Sequence, residues 1–245
     1  MHKMKQNKGF TLVELSIVIV IIGLIVAGVV GGQSLVRQAK LRGVMTDQNS
    51  IEVAFNTFKL EYDAVPGDMN NAWNYWGAAC GGNVQAHCNG NGNGAIDLFG
   101  NREDDIVWQH LSLAKLDPGN FTYVPNDTVL GLNIKTSPIN NAGYWIWQGF
   151  ATANADFLIS LGTDRTDGSP YFNSGALTPT ESFAIDSKKD DGRPGQGRIR
   201  TFKDQDRWAL ATICIDESYA SPNLENSNYI LTDKTTSCNL RHIMK

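Results

Sequence analysis

A single carboxylate stands in an otherwise apolar stretch. Between Phe10 and Gly32, Glu14 is the one charged side chain, and there is no proline. The stretch is long enough to cross a bilayer as a helix. An acid there costs about 2.5 kcal/mol or more on insertion scales, so it needs a partner and a function. Four cysteines, Cys80, Cys88, Cys214 and Cys238, all lie beyond this stretch. An even number in an exported domain predicts two disulfides. Of the pairings open to them, Cys80–Cys88 and Cys214–Cys238 close the shortest loops at the smallest entropic cost. A zinc site built from Cys80, His87 and Cys88 lacks the short ligand gap of zinc knuckles.

A second set of donors lies in Asn89-Gly90-Asn91-Gly92-Asn93-Gly94-Ala95-Ile96-Asp97. Oxygen side chains alternate, a glycine follows, and an apolar residue comes two positions later. That is the first part of an EF-hand-like calcium loop. Asn89, Asn91, Asn93 and Asp97 are the candidate ligands. Gly100 stands where a bidentate Glu is expected, so Glu103, Asp104 or Asp105 must reach in. The competing reading is a polar turn tied off by Cys80–Cys88. Asp186, Asp190 and Asp191 make a further acidic stretch that offers a second cation site, but Lys188, Lys189 and Arg193 can equally pair with the acids, and a solvated turn is the better reading. Trp73, Trp76, Trp145 and Trp147 are expected in the core or at a subunit interface rather than as a sugar platform.

These residues need elements to hold them. No strong breaker follows Gly32 until Pro66. Leu35, Val36, Ala39, Leu41, Val44, Met45, Ile51, Ala54, Phe55, Phe58 and Tyr62 recur at spacings of three and four, which marks one apolar helix face. Arg37, Lys40, Asp47, Asn49, Glu52 and Lys59 fill the other. The pattern predicts one helix from Thr11 to about Tyr62, with Gly23, Gly28, Gly31, Gly32 and Gly43 as its weak points. Residues 10–32 form its membrane or filament-core part, and 33–62 the spine of a head domain, 33–245. Pro66-Gly67 is a turn signal, and an Asn/Gly-rich connection occupies 63–105. The rest, 106–245, reads as a helix and sheet region. A short helix is expected over Ile106–Leu116, and strands over Tyr144–Ala151, Asp156–Leu161, Arg198–Lys203 and Trp208–Ile215. The fold class is α+β, a long helix packed on an antiparallel sheet with long loops.

Gly9-Phe10-Thr11-Leu12-Val13-Glu14 resembles the prepilin cleavage and methylation motif of type IV pilins and type II secretion pseudopilins, and the resemblance extends to about Gly43. It implies a leader peptide, 1–9, cut by the prepilin peptidase between Gly9 and Phe10, with Phe10 then N-methylated. It implies a pilin-like fold with the head in the periplasm of a bacterium and the helix in the inner membrane. The expected partners are further copies of the chain, related pilin-like subunits, an inner-membrane assembly platform and, before assembly, lipid. Heads resembling this one often carry calcium, so a structural calcium could occupy the Asn/Gly loop; no other cofactor is expected. In such a filament the membrane helices form a dry core. Glu14 would then face the freed amine of Phe10 on a neighbouring subunit, setting register more than stability.

Flanking charge alone leaves orientation nearly tied, with Lys3, Lys5 and Lys8 before the span and Arg37, Lys40 and Arg42 after it. Loss of residues 1–9 removes three of the 21 Lys+Arg, leaving 18 against 25 Asp+Glu, a side-chain balance of −7. That acidity argues against nucleic-acid binding. A membrane-anchored hydrolase is the rival from another class. Against it, only His2, His87, His110 and His242 occur, and no nucleophile elbow, phosphate loop or HExxH is present. The reading is therefore a filament subunit and not an enzyme: a type II secretion pseudopilin, or alternatively a major or minor pilin serving adhesion, motility or DNA uptake.

Overall fold

The structure is a computed structural model that describes residues 10–80, 82, 84–98, 102–124, 127–148, 156–164, 174–203, 214–216 and 224–245. The chain divides into two compact units, Met1–Lys40 and Leu41–Lys245. Helix α1 (Leu12–Tyr62) matches the expected span within a residue. Its beginning is apolar and long enough to cross a membrane, and none of that window is buried within the protein. Such a surface is stable in lipid or against other chains, not in water.

In the second unit α1 buries Val44, Gln48, Ile51, Ala54, Phe55 and Phe58. The spacing of three and four places them on one face, as the sequence predicts. Leu35 and Val36, read as part of the same face, lie in the first unit and are exposed. Gly43 is a fitted position rather than only a weak point, because a Cβ there would come within 2.8 Å of the Pro138 ring.

The turn after α1 leads to α2 (Ala72–Trp76) and two single 3-10 turns, Gly77–Ala79 and Gln85–His87. A third such turn, Glu103–Asp105, precedes α3 (Val107–Leu113). The stretch read as an irregular connection thus carries short helical pieces, too brief to show a hydrophobic period. Five antiparallel strands follow: β1 (Lys135–Thr136), β2 (Ala142–Gln148), β3 (Phe157–Thr163), β4 (Ile199–Lys203) and β5 (Cys238–Ile243). Their order is β1-β2-β3-β5-β4. Register is fixed by pairs such as Trp145 with Ser160 and Ser160 with Arg241. One face of the sheet meets α1, where Tyr144 donates its hydroxyl to Asp47 (2.9 Å) and Phe157 packs on Phe55. The arrangement is α+β and consistent with the pilin fold.

Two elements depart from expectation. Strand β5, wholly buried, was not anticipated, because Asn239, Arg241 and His242 make it read as polar. The structure satisfies them inside: Asn239 donates to the Leu161 carbonyl, and the Arg241 guanidinium lies over the rings of Trp147 and Phe202. Helix α4 (Pro179–Lys189) takes in Asp186, which the sequence places in a turn. Its start has a full capping box, Thr178 with Glu181, and Pro179 in the first turn. Of the expected strand Trp208–Ile215, residues 208–213 lie outside the described residues. Ile215 makes an isolated bridge with Tyr229. The last residues of the expected strand Tyr144–Ala151, 149–151, also lie outside them.

Candidate functional site

Phe10 lies outside the helix and is almost fully exposed. The helix begins immediately after Thr11, for a local reason. Thr11 Oγ1 accepts from the Glu14 backbone N–H (3.2 Å), and Glu14 Oε2 accepts from both the Thr11 N–H and its hydroxyl (2.8 Å each). This is a capping box, in which the cap hydroxyl and the acid three residues on satisfy each other's backbone donors. The Leu15 N–H bonds to the Thr11 carbonyl and opens the helical ladder. Glu14 therefore has a partner within its own chain, a signal present in the sequence as Thr-x-x-Glu. Both bonds fall on Oε2, so Oε1 is open to a second partner. Farther along, Ser16 and Ser34 turn their hydroxyls onto the carbonyls of Val13 and Gly31, so neither polar group is left bare. Gly9 lies outside the described residues.

In the head, the Asn/Gly loop is built on the turn after α1. Gly90 passes so close that a Cβ would lie 2.4 Å from the Asp68 backbone. Its N–H bonds to the Met69 carbonyl. Asp68, buried, takes the N–H groups of Gly92 (2.7 Å) and Asn93 (3.0 Å) on Oδ1 and that of Gly94 (2.7 Å) on Oδ2. Glu103 closes the loop from the other side, accepting from Asn91 N–H (2.7 Å) and Asp97 N–H (2.9 Å). The side-chain amides of Asn91 and Asn93 both donate to Asp97 Oδ2, at 2.7 and 3.0 Å.

The structure thus brings together Asn91, Asn93 and Asp97, with Glu103 alongside. Asn89 is not among them, since its Oδ1 caps the Trp73 N–H at the start of α2. Asp68, far away in sequence, stands in its place. Of the three acids offered as a closing ligand, Glu103 is the one that reaches the loop. Asp104 and Asp105 turn to Arg102, at 3.3 and 2.6 Å, and Trp145 donates to Asp104. Gly100 lies outside the described residues. Burial pushes Glu103 up to about 7 and raises Asp68, against the backbone N–H bonds that pull both down. The carboxylates of Asp68, Asp97 and Glu103 lie within electrostatic reach of one another, and these are the residues here that could hold a hard divalent cation.

Disulfides join Cys80 to Cys88 and Cys214 to Cys238. His110, whose role no local pattern in the sequence reveals, ties the first to the turn after α1. Its Nδ1 accepts from Gly67 N–H and its Nε2 faces the Cys88 carbonyl. Full burial pushes it down to about 4, so it is neutral at physiological pH. His87 instead stacks on Tyr123.

The carboxylates of Asp186, Asp190 and Asp191 do approach one another. Each is occupied: Asp186 by Tyr229 Oη and Gly192 N–H, Asp190 by the N–H groups of Arg198 and Ile199, and Asp191 by Arg193 N–H. They finish α4 and anchor β4. Lys189, expected to pair with them, goes instead to Gln48 and Asn49 of α1. Trp145 and Trp147 are buried in the sheet and stacked on each other.

Residues 4–30 match the family model described as the prokaryotic N-terminal methylation motif. No curated protein and no solved structure matches the chain.

Proposed function

On the premise that this chain carries the N-terminal methylation motif characteristic of type IV pilins and pseudopilins, we propose that it is a structural filament subunit, a pseudopilin of a type II secretion system. The carrying observation is Glu14, an acid held at the very start of an apolar helix that the protein itself does not bury. Prepilin peptidase cuts after Gly9 and methylates Phe10. The new amine then lies one residue before the capping box. Glu14 Oε2 remains committed to Thr11, while Oε1 is free to accept an amine from the next subunit. A charge in the dry filament core is tolerable only when paired, so this contact sets register between copies. Before assembly the helix anchors the chain in the inner membrane with its head in the periplasm, in reach of the assembly platform. The same motif fits a major or minor pilin of a type IV pilus, which is the second reading.

Mass spectrometry of the membrane-extracted protein tests the processing. The expected chain starts at N-methylated Phe10, and any other start rejects it. Glu14→Val is expected to be cleaved normally yet assemble poorly; filaments at wild-type level would reject the register role.

We also propose that the loop holds a structural calcium through Asp68, Asn91, Asn93, Asp97 and Glu103. The ion would supply charge compensation for the two buried carboxylates. The mutual repulsion of the Asp68, Asp97 and Glu103 carboxylates around the loop supports this reading.

A further inference from the structure

We propose that Asp68 guards the Asn91-Gly92 and Asn93-Gly94 pairs against spontaneous deamidation, making this loop a site of chemical ageing that opens only when the guard is lost. The loop contains three consecutive Asn-Gly pairs, beginning at Asn89. In such a pair the glycine backbone nitrogen, unshielded by any side chain, attacks the asparagine Cγ. A C–N bond forms, the ring closes to a succinimide, and the carboxamide nitrogen leaves as ammonia. Water then opens the ring to aspartate or isoaspartate. No oxidant or cofactor is consumed.

Both reacting groups are hydrogen-bonded to other partners here. Gly92 N–H is bound to the Asp68 carbonyl (2.9 Å) and to its Oδ1 (2.7 Å), and Gly94 N–H to Oδ2 (2.7 Å). The asparagine side chains are committed to partners of their own. Asn91 Oδ1 accepts from the N–H two residues on, that of Asn93 (2.9 Å), and Asn93 Oδ1 from that of Ala95 (2.8 Å). Their amide nitrogens are occupied by Asp97. Succinimide closure at either pair requires the glycine N–H of that pair to leave Asp68 and its asparagine carboxamide to be released. Asn89 is locked differently, by Trp73 and by the bond from Gly90 N–H to Met69, without the Asp68 side chain. Reaction at Asn91 or Asn93 would replace a donor facing Asp97 with a carboxylate. Attraction would become like-charge repulsion, and the loop would lose its closure.

Peptide mapping by mass spectrometry after incubation at mildly alkaline pH tests this on the intact, disulfide-bonded protein. At Asn91 and Asn93 the folded protein is expected to deamidate at least ~tenfold more slowly than the same chain unfolded in guanidinium, because local opening must precede reaction. Asp68→Ala is expected to speed both sites while leaving Asn89 at its wild-type rate. Equal rates in folded and unfolded protein would overturn the proposal. So would an Asp68→Ala protein in which Asn91 and Asn93 are unchanged, or in which all three sites accelerate alike, since protection would then belong to the fold as a whole.

Discussion

Glu14 and Glu103 both accept from the backbone, Glu14 from the Thr11 N–H at an exposed helix start and the buried Glu103 from the Asn91 and Asp97 N–H groups of the Asn/Gly loop. For Glu103 the remaining cost is readable as a pH dependence. Burial lifts it to about 7 and Asp186 to about 6, and it raises Asp104 and Asp105 as well. A carboxyl raised in the folded state is destabilising when charged. Its penalty is absent below the unfolded value, grows as pH rises between the two values and is complete above the folded one. His110 acts in the opposite sense, losing stability for the head as pH falls below 6.5 toward 4. Between about pH 8 and pH 6.5 the acids dominate. In chelator, the urea-derived stability of the head is expected to rise by roughly 1 kcal/mol over that interval, and Glu103→Gln should reduce the rise. Saturating calcium at the higher pH should recover most of the difference. A calcium-insensitive midpoint would dismiss the cation.

The elements that frame the site depend on caps and covalent closures. Thr178 accepts from Glu181 N–H, and Glu181 returns a bond to Thr178 N–H. Thr178→Ala is expected to cost about 1 kcal/mol in chemical denaturation, with Thr178→Ser close to wild type. The two disulfides close loops of different length, with sequence separations of 8 and 24. On the chain-entropy model their removal costs roughly 2.5 and 3.5 kcal/mol respectively. Paired serine substitutions measured side by side should therefore rank Cys214–Cys238 as the more stabilising bridge. The reverse order would show that the Asn/Gly loop depends on Cys80–Cys88 for more than loop closure, through the Cys88 carbonyl that His110 engages.

At the scale of the molecule, α1 serves two solvents. Its first unit exposes an apolar surface, while Val44, Ile51, Phe55 and Phe58 enter the head core. Burial of such side chains contributes about 1.5–3 kcal/mol each, and every one of them lies after Leu41. A chain starting at Leu41 is therefore expected to be soluble and to unfold at the same temperature as the head of the full protein in detergent, by calorimetry. A large drop would show that the head borrows stability from the anchor.

The sequence by itself determined whatever repeats locally. The apolar run, the single acid within it, the three-and-four spacing of α1 and the Thr-x-x-Glu caps are set by residues within a turn or two of each other, so composition and period reveal them. The tertiary structure decided what depends on distant partners. Strand β5 reads as polar until Trp147 and Phe202 are seen to sandwich Arg241 and the Leu161 carbonyl to take Asn239. Asp68 gives no sign of its role because the loop it holds begins some twenty residues later and reaches it only through folding. Asn89 has the right type and spacing for a ligand, yet α2 claims it with a free helix-start N–H. A side chain's chemistry is written in its type, but its partner is chosen by the chain's path, and burial then makes that choice binding.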